Sequence, residues 1–268
     1  MTASRVPGWR RLLLEAGYAL RGFFGTFGAG QLFLLRIIAS LPYALARPRL
    51  VIQQVYVAGV QSLVVIMLAG LFVGMVLALQ GHNTLSRFGA EDTIGMVAAL
   101  GLVRELGPVV TALLFAGRAG TALSSEIGLM KATDQLAGME MMAVDPIKRV
   151  VAPRFLGGVI AVPILTLIFN AMGIFGAWLE AVIVLGVDEG AFWSQMQGQV
   201  DLQDDVLSGI VKSVFFGVAA SLLAVFEGYN CVPTAEGVGR ATTRAVVHTS
   251  LTVLVLNFML TAWLLGGN

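Results

Sequence analysis

Four charged residues interrupt apolar stretches of the sequence and are the strongest candidates for a functional site. Arg104 and Glu105 lie at the centre of one apolar run, and Asp205 and Lys212 lie seven residues apart at the start of another. If these runs cross a membrane, each charge at mid-bilayer costs roughly 2.5 to 3.5 kcal/mol on insertion scales and needs a partner or water. The sequence therefore predicts a polar or hydrated interior at this level.

The local geometry adds to this prediction. Neighbouring residues on a helix point about 100° apart, so Arg104 and Glu105 cannot pair with each other and each needs its own partner. Pro108 has no N–H, so it leaves the carbonyl of Arg104 without its helical donor. A kink and a polar pocket are expected to coincide here.

Asp201, Asp205 and Lys212 fall on roughly one helical stripe and are predicted to line a polar track. Two interpretations remain open for this track, a substrate path or ion pairs that fix the helix register. Asn257 is expected to form an interhelical hydrogen bond. Glu227 and His248, nearer the ends of apolar runs, are assigned no role.

The composition shows what must position these residues. Of the 268 residues, 57% are apolar and only 12% are charged, against roughly 25% charged residues in soluble domains. The apolar excess indicates a membrane protein. A net charge of +1 argues against nucleic-acid binding, and one cysteine and two histidines leave no disulfide, redox or metal site to predict.

Five apolar runs are long enough to cross the bilayer, which needs about 20 residues. They span residues 56–80, 94–117, 155–185, 206–227 and 246–266. Small residues recur at four-residue spacing in Gly70 and Gly74 and in Gly173 and Ala177, which favours close helix packing. The sequence therefore predicts an all-α polytopic bundle.

The distribution of charge predicts the orientation of the bundle. Lysine and arginine concentrate before the first span, after the second and after the fourth, whereas the opposite joints are acidic. Because cationic loops stay in the cytoplasm, the N-terminus is predicted inside and the C-terminus outside. Residues 9–46 carry aromatic residues at helical spacing interrupted by charges, which favours an interfacial amphipathic helix; a sixth crossing near residues 28–46 is the alternative.

No energy-converting motif is present in the sequence. The phosphate-binding pattern G-x-x-x-x-G-K-[ST] is absent, as are serine and zinc hydrolase signatures, so energy must come from another subunit or an ion gradient. Residues 121–146 mix charges with four methionines and end at Asp145 and Pro146. This pattern predicts a short amphipathic helix that docks a soluble partner, with a helix lying on the bundle as the alternative.

Two segments resemble the MlaE-type permeases of ABC lipid transporters. They are LVRELGPVVTALLFAGRAGTALSSEIGLMKATDQLAGMEMMAVDPIKRVVAPR, residues 102–154, and GYNCVPTAEGVGRATTRAVV, residues 228–247. Length and span layout also match, whereas residues 1–50 match only in character. The family often has an acid where this chain has Asn257.

The resemblance implies a single permease domain over residues 1–268. Its parts would be an interfacial N-terminal segment at 1–50 and five transmembrane helices within 51–268, with a cytoplasmic coupling helix at about 123–146. Such a chain is not an enzyme and binds no cofactor, because ATP and Mg²⁺ belong to a partner ATPase. It forms a homodimer in the bacterial inner membrane and moves phospholipid between the inner and outer membranes. Further implied partners are periplasmic MCE-domain subunits and, in many systems, a STAS-domain protein.

The resemblance also implies residue roles. The lipid cavity between two copies would be lined by Arg104, Glu105, Asp205 and Lys212. The ATPase would contact the coupling helix through Glu126, Lys131, Asp134, Glu140 and Asp145. The remaining alternatives are an ion-coupled secondary transporter or channel that uses the same charges as a relay, and a membrane scaffold for a soluble partner.

Overall fold

The computed structural model describes residues 8–265 and is helical throughout, with turns between helices. Side chains at 8–24, 26, 27, 202 and 265 lie outside the description. The α-helices are α1 (Gly8–Leu45), α2 (Pro48–Gly59), α3 (Leu63–Leu85), α4 (Ile94–Gly101), α5 (Gly107–Phe115), α6 (Thr121–Ala132), α7 (Gln135–Met141), α8 (Ala152–Trp178), α9 (Glu189–Gln199), α10 (Leu207–Tyr229) and α11 (Ala235–Leu265).

Short 3₁₀ and π turns join several α-helices into longer rods. Within the described residues, six segments are long and apolar enough to cross a membrane: Gly28–Leu45, Pro48–Phe88, Glu91–Ala132, Ile147–Val184, Gln203–Tyr229 and Ala235–Leu264. The sequence predicted five spans. The all-helical, multi-span architecture is confirmed, but the number of candidate spans is one higher.

The additional candidate is Gly28–Leu45, the least apolar of the six. It forms the second half of α1, so this region is helical as predicted. A surface position was predicted because Arg36 interrupts the run, yet the segment as a whole meets the length and composition of a span. The aromatic residues between 9 and 27, on which the interfacial prediction depends, lie outside the described side chains.

The predicted small-residue contacts hold α3 against α8. A Cβ atom at Gly70 would lie 2.6 Å from the carbonyl oxygen of Phe169, and one at Gly74 would overlap the backbone of Gly173. Only glycine permits this approach, which brings the two backbones together where no hydrophobic force drives association. Ile66 and Phe169, both fully buried, fill the interior beside this crossing.

The predicted coupling helix at 123–146 is not one helix. α6 ends at Ala132, Asp134 has a left-handed backbone with φ 55°, and the separate helix α7 follows. α6 is itself the end of the Glu91–Ala132 rod. The sequence pattern of residues 121–146 did not reveal this break, because no glycine or proline marks it.

Candidate functional site

Arg104 is held by Asp205 across the bundle. Arg104 lies in a π turn, Leu102–Leu106, where the N–H of Gly107 bonds the carbonyl of Leu102 five residues back. Its Nε and Nη2 both donate to Oδ1 of Asp205, whose side chain is 1% exposed, whereas that of Arg104 is 42% exposed. The buried carboxylate therefore fixes the guanidinium and leaves Nη1 without a partner among the described residues.

Asp205 is fixed in turn by the chain that precedes α10. Its Oδ2 accepts the backbone N–H of Asp201 at 2.8 Å. The side chain of Asp201 accepts the N–H of Gln203 at 2.8 Å and so caps this turn. The predicted polar track is therefore wrong for Asp201, which is occupied in local capping.

Lys212 and Glu105 form the second ion pair of the site. Nζ of Lys212 lies 2.7 Å from Oε1 of Glu105, and its side chain is 3% exposed against 38% for the glutamate. The same ammonium donates to the carbonyl oxygen of Arg104 at 2.9 Å. Pro108 has no N–H to donate to this carbonyl, so the proline leaves a free acceptor, and Lys212 donates a hydrogen bond to it.

Two polar residues of α11 complete the ligands of Glu105. Thr261 accepts from Lys212 at 2.8 Å and lies within 3.2 Å of both carboxylate oxygens, and Nδ2 of Asn257 donates to Oε2 at 3.1 Å. Asn257 thus forms the interhelical bond that was expected. The sequence reasoning missed Thr261, although its spacing of four from Asn257 on an apolar helix is a signal for a shared polar face.

These charges border a cavity of about 360 Å³. Its polar lining comes from Arg104, Glu105, Lys212, Thr261, Gln203, Asp204 and Ser208, and its apolar lining from Leu207, Val211 and Leu264. Asp205 lies behind this lining, where it holds Arg104. The structure therefore brings all four predicted cavity residues into one network, with two cations and two anions that balance in charge.

The five residues predicted to contact an ATPase fall into two groups. Glu126 pairs with Arg154 at 3.1 Å, and Lys131 donates to the carbonyl of Tyr229 at 2.8 Å, so both hold the bundle together. Asp134, Glu140 and Asp145 are exposed around α7. The three exposed residues lie on or beside α7, and we call this region the α7 surface, residues 134–145.

Comparison with known proteins places this architecture in a family. The family model described as Permease MlaE matches residues 51–263. The chain belongs to the MlaE permease family. The Intermembrane phospholipid transport system permease protein MlaE of Haemophilus influenzae is 54% identical over 245 residues, which cover 91% of this chain and 94% of that protein.

More distant relatives match over a similar length of the chain. A Probable ABC transporter permease protein of Rickettsia felis is 37% identical over 89% of this chain and 92% of its own length. The chloroplastic Protein TRIGALACTOSYLDIACYLGLYCEROL 1 of Arabidopsis thaliana is 30% identical over 93% of this chain and 70% of its own length. The resemblance seen in the sequence is confirmed, and these MlaE relatives support an ABC permease over an ion-coupled carrier or a scaffold.

Proposed function

We propose that this MlaE family permease moves phospholipid between the inner and outer membranes of a Gram-negative-type bacterium. It would be the multi-pass inner-membrane subunit of an ABC transporter, with ATP hydrolysis on a separate chain. The Haemophilus relative is named for intermembrane phospholipid transport, and the Rickettsia relative for an ABC transporter. Sequence identity over nearly the whole chain supports the same activity here.

The observation that carries the proposal is the partly exposed guanidinium of Arg104 at a cavity with both polar and apolar walls. A phospholipid needs donors for its phosphate and apolar contacts for its tails. Arginine suits the phosphate because its planar fork donates several hydrogen bonds at once. Leu207, Val211 and Leu264 supply apolar surface beside it.

Two copies of the permease would face each other across this cavity. Arg104 and Glu105 keep 42% and 38% of their side-chain surface exposed, so the network is open on one side. A second copy would close that side and enclose the lipid between the protomers. Each copy needs no chemistry of its own, because motion of the partner ATPase would narrow the chamber.

The α7 surface would receive that ATPase. Met141 and Met142 are 85% and 70% exposed, and methionine is adaptable at binding surfaces. The rod that carries Arg104 continues to Ala132 beside this surface, 28 residues or about 42 Å away along one helix axis. Movement at the α7 surface therefore has a continuous helical path to the cavity.

The orientation is inferred from the charge distribution, and the remaining partners from the resemblance to MlaE-type permeases. We infer a cytoplasmic position for the α7 surface, because the joints on that side are cationic, and a STAS-domain protein would also bind there. The cavity end then faces the periplasm and its MCE-domain subunits. Of the six candidate spans we take Gly28–Leu45, the least apolar, as interfacial. Five crossings would then leave the N-terminus in the cytoplasm and the C-terminus in the periplasm.

Transport in proteoliposomes tests the proposal. The variant R104Q/D205N removes both charges of the pair and avoids an unpaired buried aspartate, so folding is retained while the phosphate donor is weakened. With the ATPase and MCE subunits present, we expect ATP-driven phospholipid transfer to fall about tenfold or more. The control R87Q/D92N removes one cation and one anion at exposed positions of the outer joint and should transfer at the wild-type rate.

Docking is tested separately by affinity purification. Charge reversal in E140K or D145K should release the ATPase, whereas E126Q, which alters a residue paired within the bundle, should retain it. Wild-type transfer by R104Q/D205N would contradict the cavity assignment. Full retention of the ATPase by both reversals would contradict the α7 surface as its docking site.

A further inference from the structure

A second polar cluster lies at the far end of α10, remote from the Arg104 cavity. Glu227 is 22 residues after Asp205, about 33 Å along the helix, and its side chain is 9% exposed. It accepts from Nε of Arg244 at 3.0 Å and lies 3.0 Å from Nδ1 of His248. The sequence assigned no role to Glu227 or His248, and transport through the Arg104 cavity does not use them.

Glu227 holds Arg244 in an orientation that leaves donors available. Only Nε of Arg244 is bonded among the described residues, so both Nη groups remain for another ligand, and the side chain is 52% exposed. Arg244 also lines an open depression of about 600 Å³ with Glu236, Gly239, Arg240 and Thr243. Glu236 accepts from Nη2 of Arg240 at 2.5 Å there, so Arg244 is the cation of this depression whose Nη groups are both unused within the part of the chain that the structure describes. A planar guanidinium with two unused amino groups is suited to a phosphate.

An apolar groove of about 500 Å³ begins beside the same cluster. Glu227 and His248 form its polar end. Its other lining residues are Gly30, Gln31, Ala219, Leu222, Leu223, Phe226, Leu251 and Thr252. From Glu227 to Ala219 the groove follows α10 for eight residues, about 12 Å, toward the middle of the membrane-spanning segment. Its volume lies within the range of about 300 to 1,000 Å³ that is usual for small-molecule sites.

We propose that this groove binds an acyl chain of a phospholipid from the adjacent leaflet, with the phosphate on Arg244. The groove opens between membrane-spanning helices, so lipid chains are its natural surroundings. Glu227 is the charged residue in the lining of the groove, and Arg244, which is bonded to it, brings a cation beside that end. The apolar walls and this neighbouring cation together complement an amphiphile.

This site is independent of lipid binding at Arg104. In the proposed orientation, the leaflet beside this groove is the cytoplasmic one. That assignment is the only part of the proposal that rests on the proposed function. A lipid here would be held in the leaflet opposite to the Arg104 cavity, at the junction of α1 with α10 and α11.

Photolabelling of the full chain in nanodiscs tests this site. The probe is phosphatidylglycerol with a diazirine in its acyl chain, compared with diacylglycerol that carries the same chain and no phosphate. Peptide mapping should locate phosphatidylglycerol on residues 219–226 and 251–252. We expect the groove-filling variant L223W to lower this labelling about tenfold, whereas L254W, at a 52% exposed position of α11 outside the groove, should not.

The role of the cation is tested with E227Q/R244Q, which removes both charges; glutamine matches the shape of glutamate and is shorter than arginine. Phosphatidylglycerol labelling should fall to the level of diacylglycerol, while labelling of Leu207 and Leu264 at the Arg104 cavity stays constant. Equal labelling of the wild type by both probes would overturn the headgroup assignment. Unchanged labelling in L223W, or a crosslink from this groove to another protein chain in place of lipid, would overturn the site. Wild-type protein that is labelled at the groove but not at Leu207 and Leu264 would count against the proposed function and leave the groove site intact.

Discussion

The Glu105–Lys212 pair should respond asymmetrically to loss of its two charges. E105Q leaves the ammonium of Lys212, 3% exposed, with neutral ligands alone. Removing one partner of a buried ion pair costs about 3 to 5 kcal/mol, because the remaining charge stays desolvated. K212M leaves a carboxylate that is 38% exposed to the cavity and keeps its bonds to Asn257 and Thr261, so its cost should stay below about 2 kcal/mol.

The assay is thermal unfolding of the purified chain in one detergent. At about 2 to 4 °C per kcal/mol for a chain of this size, E105Q should lower Tm by about 6 to 20 °C. The double variant E105Q/K212M should be more stable than E105Q alone, since it removes the stranded cation. K148M is a matched control at a 51% exposed lysine and should change stability by less than about 0.5 kcal/mol.

Two results would refute this reasoning. One is a larger loss of stability in K212M than in E105Q, which would mean that the glutamate is the more desolvated partner. The other is a double variant as unstable as the sum of the single ones, which would mean that the two charges do not interact.

Two further predictions concern the frame around the site. G74A should be destabilised by about 1 to 3 kcal/mol, because its methyl group meets the backbone of Gly173. In the control G81A, on the same helix, the added methyl group has its nearest neighbour at 3.9 Å and should be tolerated. Thermal unfolding of both variants compares them directly. D188A removes the side chain that accepts the N–H of Ala191 at 2.7 Å. It should lower the free energy of unfolding by about 0.5 to 2 kcal/mol and speed amide exchange at the start of α9. Unchanged exchange there would contradict a capping role.

The sequence was sufficient to predict which residues need partners. Helix geometry showed that Arg104 and Glu105 point apart, and mid-membrane charge required compensation for each. The identities of those partners depend on packing between helices more than 100 residues apart, which periodicity does not encode. Thr261 was missed for that reason. A threonine in an apolar helix carries no charge that marks it as functional, and its role comes from the contact with Lys212 on the facing helix.

Other differences have local causes. The break at Asp134 depends on one left-handed residue that is neither glycine nor proline, so the pattern of apolar residues continued across it. Glu227 was assigned no role, whereas the structure pairs it with Arg244 and His248 from the facing helix. The close approach of α3 and α8 was predictable because Gly70 and Gly74 are spaced by four, and small residues at that spacing have few other uses in a membrane helix.

The central claim is that a phospholipid headgroup lies against Arg104 in a chamber shared by two copies of the permease. A density map of the permease purified with its ATPase in native lipid tests this claim most directly. We predict amphiphile density between two copies, with its phosphate within hydrogen-bonding distance of Nη1 of Arg104 and its tails along Leu207 and Leu264. A chamber in which Arg104 and Glu105 are sealed by protein, with no amphiphile between the copies, would contradict the account.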